Sequence, residues 1–464
     1  MSALARDLAR TLRIDPSAPA IEFEDAWWRW GEVAEAAESV AASVPAPGAP
    51  VGVVLRNTPW HVGALLGVLI ADGCAVTVNP ALGRAVAEAG ELDLAGLVGT
   101  DADLEAFGRP AADPAAPPRP GVAVRMLTSG TTGPPKRVDI TADTLTRTMQ
   151  GAKHYESGRR PQSVLRRGVA VVNSPLVHIG GLFRVVQCVL DGRSFVLLPR
   201  FEVGPWADAV RRHRPKTASL VPAALRMVLD SDLTRDDLSG LLSVVSGTAP
   251  LDPADAEAFT ERFGVPVLTS YAATEFGGGV AGWTLADHRR YWAGKRGSAG
   301  RAHPGCGLRV VSPDGEELPG GEEGLLEVRP AQFGADAPWI RTTDLARIDG
   351  DGFLWIVGRA DQTIIRGGFK VQPDHVRSVL ERHPAVRSAV VLGVPDTRLG
   401  EVPVAVVESR PGHAPPDREA LLAHAAEALA RYELPTEVTF VDALPRTPSG
   451  KVDLPAARAL LEAP

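Results

Sequence analysis

The chain has 464 residues, of which 45% are hydrophobic and 23% charged, and its formal net charge is −7. This length exceeds one ordinary hydrophobic core, so two or three folding units are expected. The acidic balance argues against a nucleic-acid partner, because a phosphate backbone favours a basic surface. Cys74, Cys188 and Cys306 are far apart and show no metal-binding or disulfide spacing, which predicts a reducing, cytoplasmic setting.

No membrane partner is predicted. The N-terminal segment has no long apolar core and no cleavage-like signal. The most apolar long stretch, Val62–Val78, is interrupted by Asp72 and Gly73 and is too short to span a bilayer. We interpret it as a buried helix followed by a strand.

Short, fully apolar runs alternate with longer helix-like segments from about residue 51 to residue 270. The strand candidates are VGVVL (51–55), CAVTV (74–78), VAVV (169–172), SFVLL (194–198), TASLV (217–221), LLSVVS (241–246) and VPVL (265–268). Apolar strands separated by helices predict parallel sheets that are covered on both faces. The predicted fold class is therefore α/β with doubly wound sheets, which bind ligands at the carboxyl ends of their strands.

The pattern changes after about residue 300. Strand candidates within 308–329 and 348–359 surround turn residues, without a long helix between them, so a smaller β-rich unit is predicted at about 285–358. Beyond it, a compact α+β unit is predicted, with helices at 373–382 and 418–431 and strands at 388–394, 402–408 and 436–441. The expected organisation is a large N-terminal domain at residues 1–360 and a small, mobile C-terminal domain at residues 361–464.

Residues 124–138, VRMLTSGTTGPPKRV, combine an apolar run with a loop of glycines and hydroxyls, followed by a lysine. Glycines let successive backbone N–H groups converge, and hydroxyls add donors, so the loop suits phosphate oxygens. Lys136 adds a cation. The segment is not a Walker loop, because Gly130 is not followed by GK[ST] at the required spacing. A simple Gly/Thr turn is the alternative for this segment considered alone.

The nine residues TSGTTGPPK (128–136) resemble the phosphate-loop signature of the adenylate-forming superfamily, also called AMP-dependent synthetases/ligases. The overall pattern is most similar to the acyl-CoA synthetases in that superfamily. The resemblance extends from about residue 50 to residue 460, because further motifs follow in the family's order. It implies ATP, Mg²⁺ and coenzyme A as cofactors and a small-molecule carboxylic acid as substrate.

The resemblance also implies a nucleotide site. Its residues are Thr128, Ser129, Gly130, Thr131, Thr132 and Gly133 in the phosphate loop, Ser246, Gly247, Thr248 and Ala249 in an adenine-side loop, and Tyr271, Ala272, Asp344 and Arg359. In the family, the aromatic residue of SYAATE (270–275) stacks on adenine, the threonine contacts the α-phosphate, and the glutamate helps to hold Mg²⁺. Thr274 and Glu275 occupy the last two places, and a hard oxygen ligand suits Mg²⁺.

Asp344 aligns with the family's aspartate that accepts hydrogen bonds from the ribose hydroxyls, and Arg359 with an arginine that contacts ribose or phosphate. Asp361 occupies the hinge position between the domains. A surface Asp–Arg pair, or a strand-end tyrosine beside a solvated glutamate, is the alternative for each segment considered alone.

The segment LPRTPSGKVDL (444–454) places Lys451 where the family has its catalytic lysine. A carboxylate that approaches an α-phosphate is an anion meeting an anion, so a cation between them stabilises the transition state. The catalytic residues implied are therefore Lys451, Thr274 and Lys136. A solvated lysine in the C-terminal tail is the alternative.

Two further segments concern the other substrates. PLVHIGGL (175–182) resembles the motif that borders the acyl pocket, and its candidate residues, with one glycine from a later segment, are His178, Gly180, Gly181 and Gly277. A core or capping histidine is the alternative for His178. IRGGFKVQP (365–373) resembles the loop that enters the site for thioester formation, and its candidate residues are Arg366, Gly367, Gly368, Phe369 and Lys370. Glycines there leave room for a pantetheine arm, which favours coenzyme A as the acceptor.

Three features depart from the family pattern. Thr343 replaces a glycine, the segment 330–340 is shortened, and His375 stands where an acidic residue is common. None removes a catalytic group, although the first two lie near the nucleotide. The predicted function is an acyl-CoA ligase that forms an acyl-adenylate and then a thioester. The alternatives are an enzyme that performs one half-reaction or transfers to an acyl-carrier protein, and a non-catalytic nucleotide-binding protein.

Overall fold

The computed structural model describes residues 1–80, 93–107, 113, 116–128, 136–152, 164–414, 416–447 and 451–462. In these residues the strands are β1 (Pro19–Phe23), β2 (Ala26–Arg29), β3 (Pro50–Val54), β4 (Cys74–Val78), β5 (Gly96–Val98), β6 (Val122–Thr128), β7 (Lys136–Thr141), β8 (Arg166–Val172), β9 (Arg193–Leu197), β10 (Thr217–Ser219), β11 (Ser243–Ser246), β12 (Val267–Ala273), β13 (Gly278–Gly282), β14 (Arg301–Ala302), β15 (Gly307–Val311), β16 (Gly324–Arg329), β17 (Ile340–Ile348), β18 (Leu354–Arg359), β19 (Ile364–Arg366), β20 (Phe369–Val371), β21 (Val386–Asp396), β22 (Gly400–Ser409) and β23 (Glu437–Val441).

The α-helices of the same residues cover the sheets and fill the connections between strands. They are α1 (Ala3–Leu12), α2 (Trp30–Ala41), α3 (Pro59–Ile70), α4 (Asp101–Phe107), α5 (Ala142–Ala152), α6 (Ile179–Leu190), α7 (Val203–His213), α8 (Pro222–Leu229), α9 (Pro253–Phe263), α10 (Leu285–Tyr291), α11 (Pro373–Leu380), α12 (Arg418–Ala426) and α13 (Leu454–Glu462). In the described part of the chain, none of these helices is both long and apolar enough to cross a membrane.

Three sheets of the N-terminal domain have parallel strands inside and antiparallel strands at an edge. Their strand orders are β5-β3-β4-β6-β7, β2-β1-β9-β8 and β10-β11-β12-β13-β14. All five residues of β3 and of β4 are buried, as their uniformly apolar sequences predict. The predicted α/β class is thus confirmed.

The antiparallel edges of these sheets were not predicted. Only residues 274–277 lie between β12 and β13, and the two strands pair antiparallel. So few residues cannot form the helical crossover that a parallel pair needs. The tight reversal contains Thr274 and Glu275, two of the predicted site residues.

Two smaller sheets follow. β15 to β18 form an antiparallel sheet in chain order, with a hydrophobic core that it shares with Phe276 and Val280. β19 to β23 form the sheet of the C-terminal domain, in which β21 and β22 pair over almost their full lengths. α11 and α12 pack on this last sheet and complete a separate core around Val379, Val407 and Leu421. The chain therefore has a large N-terminal domain and a smaller C-terminal one.

Asn57 joins two of the large sheets. It follows β3, and its amide Nδ2 donates to the carbonyl oxygens of Ser174 and Leu198, at 3.0 Å each. Its Oδ1 accepts from the backbone N–H of Leu176 at 2.8 Å. The side chain is only 7% exposed, so these backbone groups have little access to water in its place. Asn57 thereby holds the segment that leads into α6.

We predict that Asn57→Ala lowers the free energy of unfolding by about 3 kcal/mol, because it leaves buried backbone groups without partners. Urea denaturation measures this change. The control is Gln150→Ala on the exposed face of α5, which should change the free energy by less than about 0.5 kcal/mol. An equally small effect of Asn57→Ala would mean that water replaces the amide at this junction.

Candidate active site

Tyr271, Asp344 and Arg359 lie together where β12, β17 and β18 meet. The Tyr271 hydroxyl donates to a carboxylate oxygen of Asp344. Asp344 and Arg359 are opposite each other in the antiparallel register of β17 and β18. The structure thus brings together three residues that are separated by up to 88 positions and that the sequence assigns to one nucleotide site.

Burial is the largest influence on the pKa values of Asp344 and Tyr271. It raises the pKa of Asp344, although the hydrogen bond from Tyr271 and the charge of Arg359 oppose it. Burial also raises the pKa of Tyr271, and the neighbouring Asp344 carboxylate raises it further. Tyr271 consequently remains a hydrogen-bond donor at neutral pH. One oxygen of Asp344 takes this bond, and the carboxylate has further lone pairs that can accept from a ribose.

Arg359 is held from two sides. Its Nε and Nη2 donate to the two carboxylate oxygens of Asp361 at 2.9 and 2.8 Å. Nη2 also donates to Oγ1 of Thr343 at 2.6 Å. The threonine that departs from the family pattern therefore contacts the arginine assigned to the nucleotide. The sequence marked Thr343 as unusual but held no signal for this contact.

Lys451 belongs to the C-terminal domain and faces charged residues of the N-terminal one. Loss of hydration lowers its pKa although the residue keeps solvent access, and the nearby charge of Arg359 acts in the same direction. Glu275 and Asp344 are close enough to oppose this shift. Lys451 is also near His178, since its charge contributes to lowering the pKa of that imidazole. The proposed catalytic cation is thus within electrostatic range of residues assigned to the nucleotide, the metal and the acyl group.

Lys451 and the described residues that precede it, 444–447, form hydrogen bonds with each other and with Glu408. The Lys451 carbonyl accepts from the Thr447 backbone N–H at 2.8 Å. Glu408, which is 2% exposed, accepts from the Leu444 backbone N–H at 3.0 Å and from Arg446 at 3.2 Å. The sequence motif identified Lys451 but not this buried carboxylate on β22.

His178 precedes α6 and contributes its carbonyl, not its ring, to the helix: the Leu182 N–H donates to the His178 carbonyl at 3.0 Å. No side-chain cap bond forms. Burial lowers the pKa of His178 to about 4, with Lys451 acting in the same direction, so the ring is neutral at pH 7. Its Nε2 is buried without a partner among the described residues. A buried polar atom of this kind has unused capacity to bind a ligand.

The three pocket glycines have different surroundings. A Cβ on Gly180 would meet nothing within 4 Å, whereas one on Gly181 would lie 2.2 Å from the Pro175 carbonyl oxygen. A Cβ on Gly277 would lie 2.5 Å from Thr144 and 3.2 Å from Phe333, a residue of the shortened segment. Gly180 thus borders open space. Gly181 and Gly277 permit close packing, and their part in an acyl pocket stays a prediction.

The end of β11 and the loop that follows it contain two unusual groups. Ser246 is 1% exposed, and its Oγ has no partner among the described residues. Thr248 has φ of +72°, which a β-branched residue rarely adopts. A Cβ on Gly247 would lie 2.8 Å from the Ser270 hydroxyl, so the loop crosses close to β12. Ala249 is exposed beyond the turn. Strained backbone and a free buried hydroxyl are typical of ligand-binding loops.

The phosphate loop is described only at its two ends. Thr128 is the last residue of β6 and pairs with Lys136, the first residue of β7. Lys136 is exposed there. The predicted residues Ser129, Gly130, Thr131, Thr132 and Gly133 lie outside the described residues. Thr128 itself lies at the carboxyl end of β6, the edge at which parallel sheets bind ligands.

Thr274 and Glu275 form a short 3₁₀ turn, Thr274–Phe276, directly after Ala272 and Ala273 of β12. Glu275 is exposed. No group of three or more His, Cys, Asp or Glu residues in the described ranges could hold a metal without other ligands. One exposed carboxylate fits Mg²⁺ that is bound mainly by phosphate oxygens and water.

The candidate thioester loop lies on the C-terminal domain. Arg366 donates to the carbonyl oxygens of Tyr432 and Leu434 at 2.8 and 3.1 Å. Gly367 and Gly368 have φ of +56° and +90°, which accounts for the two glycines at this turn. Phe369 is 56% exposed and stacks on Tyr432, with 4.6 Å between ring centroids. The next residue, Lys370, is exposed as well. Arg366 supports the loop, and the two residues after the glycines are accessible.

Known proteins match this fold and motif order. The model of the AMP-binding enzyme family matches residues 8–89 and 84–333. The model of its C-terminal domain matches residues 375–451. The chain therefore belongs to the family of AMP-binding enzymes.

Curated relatives are acid–thiol ligases. Indoleacetate–CoA ligase of Aromatoleum aromaticum is 34% identical over 72% of this chain, which spans 66% of that relative's length. Feruloyl-CoA synthase of an Amycolatopsis species is 31% identical, and the match covers 96% of both chains. These matches confirm the predicted family and the predicted enzyme class, ATP-dependent acid–thiol ligases.

A solved structure extends the comparison to the arrangement of the whole chain. ATP-bound MatB from Rhodopseudomonas palustris is 25% identical with a TM-score of 0.81, and the match covers 98% of this chain and 99% of that chain. Apo MatB gives a TM-score of 0.70 at 25% identity, with 99% of each chain covered. The overall arrangement is thus more similar to the ATP-bound form of MatB than to its apo form.

The neighbouring Gly180 and Gly181 provide a matched pair of variants. We predict that Gly181→Ala lowers the free energy of unfolding by about 1–3 kcal/mol, since its Cβ would overlap the Pro175 carbonyl. Gly180→Ala should leave stability unchanged or raise it by up to about 1 kcal/mol, because alanine favours a helix. Urea denaturation of both variants tests this difference. Equal stabilities would show that the segment before His178 shifts without cost.

Proposed function

We propose that the protein is an acyl-CoA ligase that works through an acyl-adenylate. The observation that carries this proposal is that Lys451, from the C-terminal domain, lies within electrostatic reach of Glu275, Asp344, Arg359 and His178. A protein that only bound a nucleotide would have no need for a cation brought from a second domain. The family match and the CoA-ligase relatives support the same chemistry.

In the first step, a substrate carboxylate oxygen attacks the α-phosphorus of ATP. A new P–O bond forms, the bond to the β-phosphate oxygen breaks, and pyrophosphate leaves with its electron pair. Lys451 lies between the two approaching anions and lowers their repulsion. Thr274 and Lys136 supply a hydroxyl and a second cation to the phosphates. Asp344 and Arg359 hold the ribose side.

Mg²⁺ fits Glu275 together with phosphate oxygens and would neutralise part of the triphosphate charge. Lys451 is needed in addition, because its cation faces the attacking carboxylate.

In the second step, the CoA thiol sulfur attacks the acyl carbonyl carbon of the adenylate. The C–O bond to AMP breaks, AMP leaves, and the thiol proton passes to solvent. We infer that the C-terminal domain turns about Asp361 between the steps, withdrawing Lys451 and presenting the 366–370 loop. The exposure of Phe369 and Lys370 in the present arrangement supports this inference, since both side chains are accessible to a new partner.

A panel of carboxylic acids tests the proposal, with pyrophosphate release measured in the presence and absence of CoA and products identified by mass. Pyrophosphate, AMP and an acyl-CoA thioester are expected for at least one acid. Pyrophosphate without a thioester would favour an enzyme of one half-reaction, or one that transfers to an acyl-carrier protein, which a phosphopantetheinylated carrier distinguishes. Failure of every acid to give an adenylate would favour a non-catalytic nucleotide-binding protein.

We predict that Lys451→Ala lowers the rate of adenylate formation by at least about 100-fold, because it removes the cation between two anions. A chemically prepared acyl-adenylate should still react with CoA at close to the wild-type rate. Rapid quenching measures the two half-reactions separately. Equal losses in both would contradict the role assigned to Lys451.

The rate of adenylation should also depend on the protonation of Lys451. Its pKa is lowered by burial and by Arg359, so the active, charged form is lost as pH rises past a value below that of an ordinary lysine. A falling alkaline limb is expected in the pH profile of adenylation. Lys451→Arg should move this limb upward, because a guanidinium stays charged. An unchanged limb would assign it to another group.

A further inference from the structure

A buried ion pair joins the two domains away from the nucleotide site. Arg226 of α8 in the N-terminal domain donates from Nη2 to Oε2 of Glu381, which follows α11 in the C-terminal domain, at 2.8 Å. The two side chains are 17% and 3% exposed. Arg226 also approaches the Arg387 carbonyl oxygen across the same interface, at 3.5 Å.

Each partner is fixed within its own domain. Arg226 donates from Nε to Asp255 of α9 at 2.6 Å. Glu381 accepts from Arg377 at 2.8 Å and from the Ala389 backbone N–H at 3.0 Å. The pair therefore joins two side chains that are already held in place by their own domains. Neither side chain has to become ordered when the domains meet.

The same arrangement allows the domains to separate. If the contact opens, Arg226 keeps Asp255 and Glu381 keeps Arg377, so neither buried charge is left alone. In an isolated buried ion pair, each charge would lose its only partner when the contact opens, so the pair is costly to break. Burial by itself would raise the pKa of Glu381, but Arg377 and Arg226 outweigh it and lower the pKa. The carboxylate is thus ready to pair at neutral pH.

Other contacts across the interface are weaker. Arg410 pairs with Asp230 at 2.7 Å, with side chains that are 31% and 40% exposed. Arg382 reaches Asp252 only at 3.7 Å. Exposed ion pairs contribute little to an interface, because water solvates both charges. Arg226 and Glu381 therefore form the best-buried charged contact between the domains among the described residues.

The contact coincides with the arrangement that places Lys451 in the site. One domain orientation both pairs Arg226 with Glu381 and brings Lys451 near Glu275 and Asp344. The chain as a whole also superposes better on ATP-bound MatB, with a TM-score of 0.81, than on apo MatB, with 0.70. A contact made in one orientation favours the reaction step that needs that orientation.

We propose that Arg226 and Glu381 are positioning residues for adenylation: their pairing docks the C-terminal domain so that Lys451 reaches the site, and it opens before thioester formation. This rests on the proposed function, because it requires two half-reactions with different domain orientations. Neither residue touches a reacting atom. Loss of the pair should therefore slow the first half-reaction and spare the second.

The test uses the full-length enzyme and an acid that the wild type accepts. Arg226→Gln should lower the single-turnover rate of pyrophosphate release by about tenfold, in the range expected for coupling between sites. The reaction of a prepared acyl-adenylate with CoA should change by less than about twofold, because it does not use the docked orientation. Arg410→Gln is the matched control at the same interface, and we expect changes of less than about twofold in both steps, since its ion pair is exposed.

Arg226→Lys keeps the charge but loses the forked geometry, so its adenylation rate should fall between those of the wild type and Arg226→Gln. This variant also decides the outcome if Arg226→Gln fails to fold. Equal changes in both half-reactions of Arg226→Lys, or a wild-type adenylation rate in Arg226→Gln, would overturn the proposal. A wild-type enzyme that forms no adenylate with any acid would instead reject the proposed function.

Discussion

Repulsion between a carboxylate and a polyphosphate is the constraint on which the arrangement of this protein depends. Two anions approach each other only when a cation lies between them. In the proposed function Lys451 is that cation, yet it belongs to the C-terminal domain, whereas Glu275 and Asp344, whose charges act on it, belong to the N-terminal one. The site is complete only when the two domains meet. Their interface is therefore part of the proposed chemistry.

Buried polar side chains hold each part of the site in place. Asn57 satisfies backbone groups of the segment that leads to His178. Glu408 holds the chain just before Lys451. Arg226 and Glu381 join the two domains. Each of these polar groups is well bonded, in contrast to His178 and Ser246, whose buried atoms have no partner in the described ranges.

Two of the three departures from the family pattern, Thr343 and the shortened segment, are built into this framework. Thr343 lacks the backbone freedom of the glycine that is usual in the family. Its hydroxyl accepts a hydrogen bond from Arg359, which also binds Asp361. Arg359, which is assigned to the nucleotide, is thereby in direct contact with Asp361 at the hinge position. The shortened segment contributes Gln332, whose amide donates to the Phe276 carbonyl oxygen at 2.6 Å. Both departures thus form specific contacts beside the site, and neither displaces Asp344 or Lys451.

The sequence by itself determined the family, the α/β class and the order of the candidate motifs, because apolar periodicity and short signatures such as TSGTTGPPK are local. It also located several strands, such as those at 51–55, 74–78 and 402–408, to within a few residues. Only the tertiary structure decided the antiparallel sheet edges and the partners of Thr343 and Asn57. It alone paired Arg226 with Glu381, 155 positions apart. The physical reason is that such pairs depend on how separate elements pack, which no local pattern encodes.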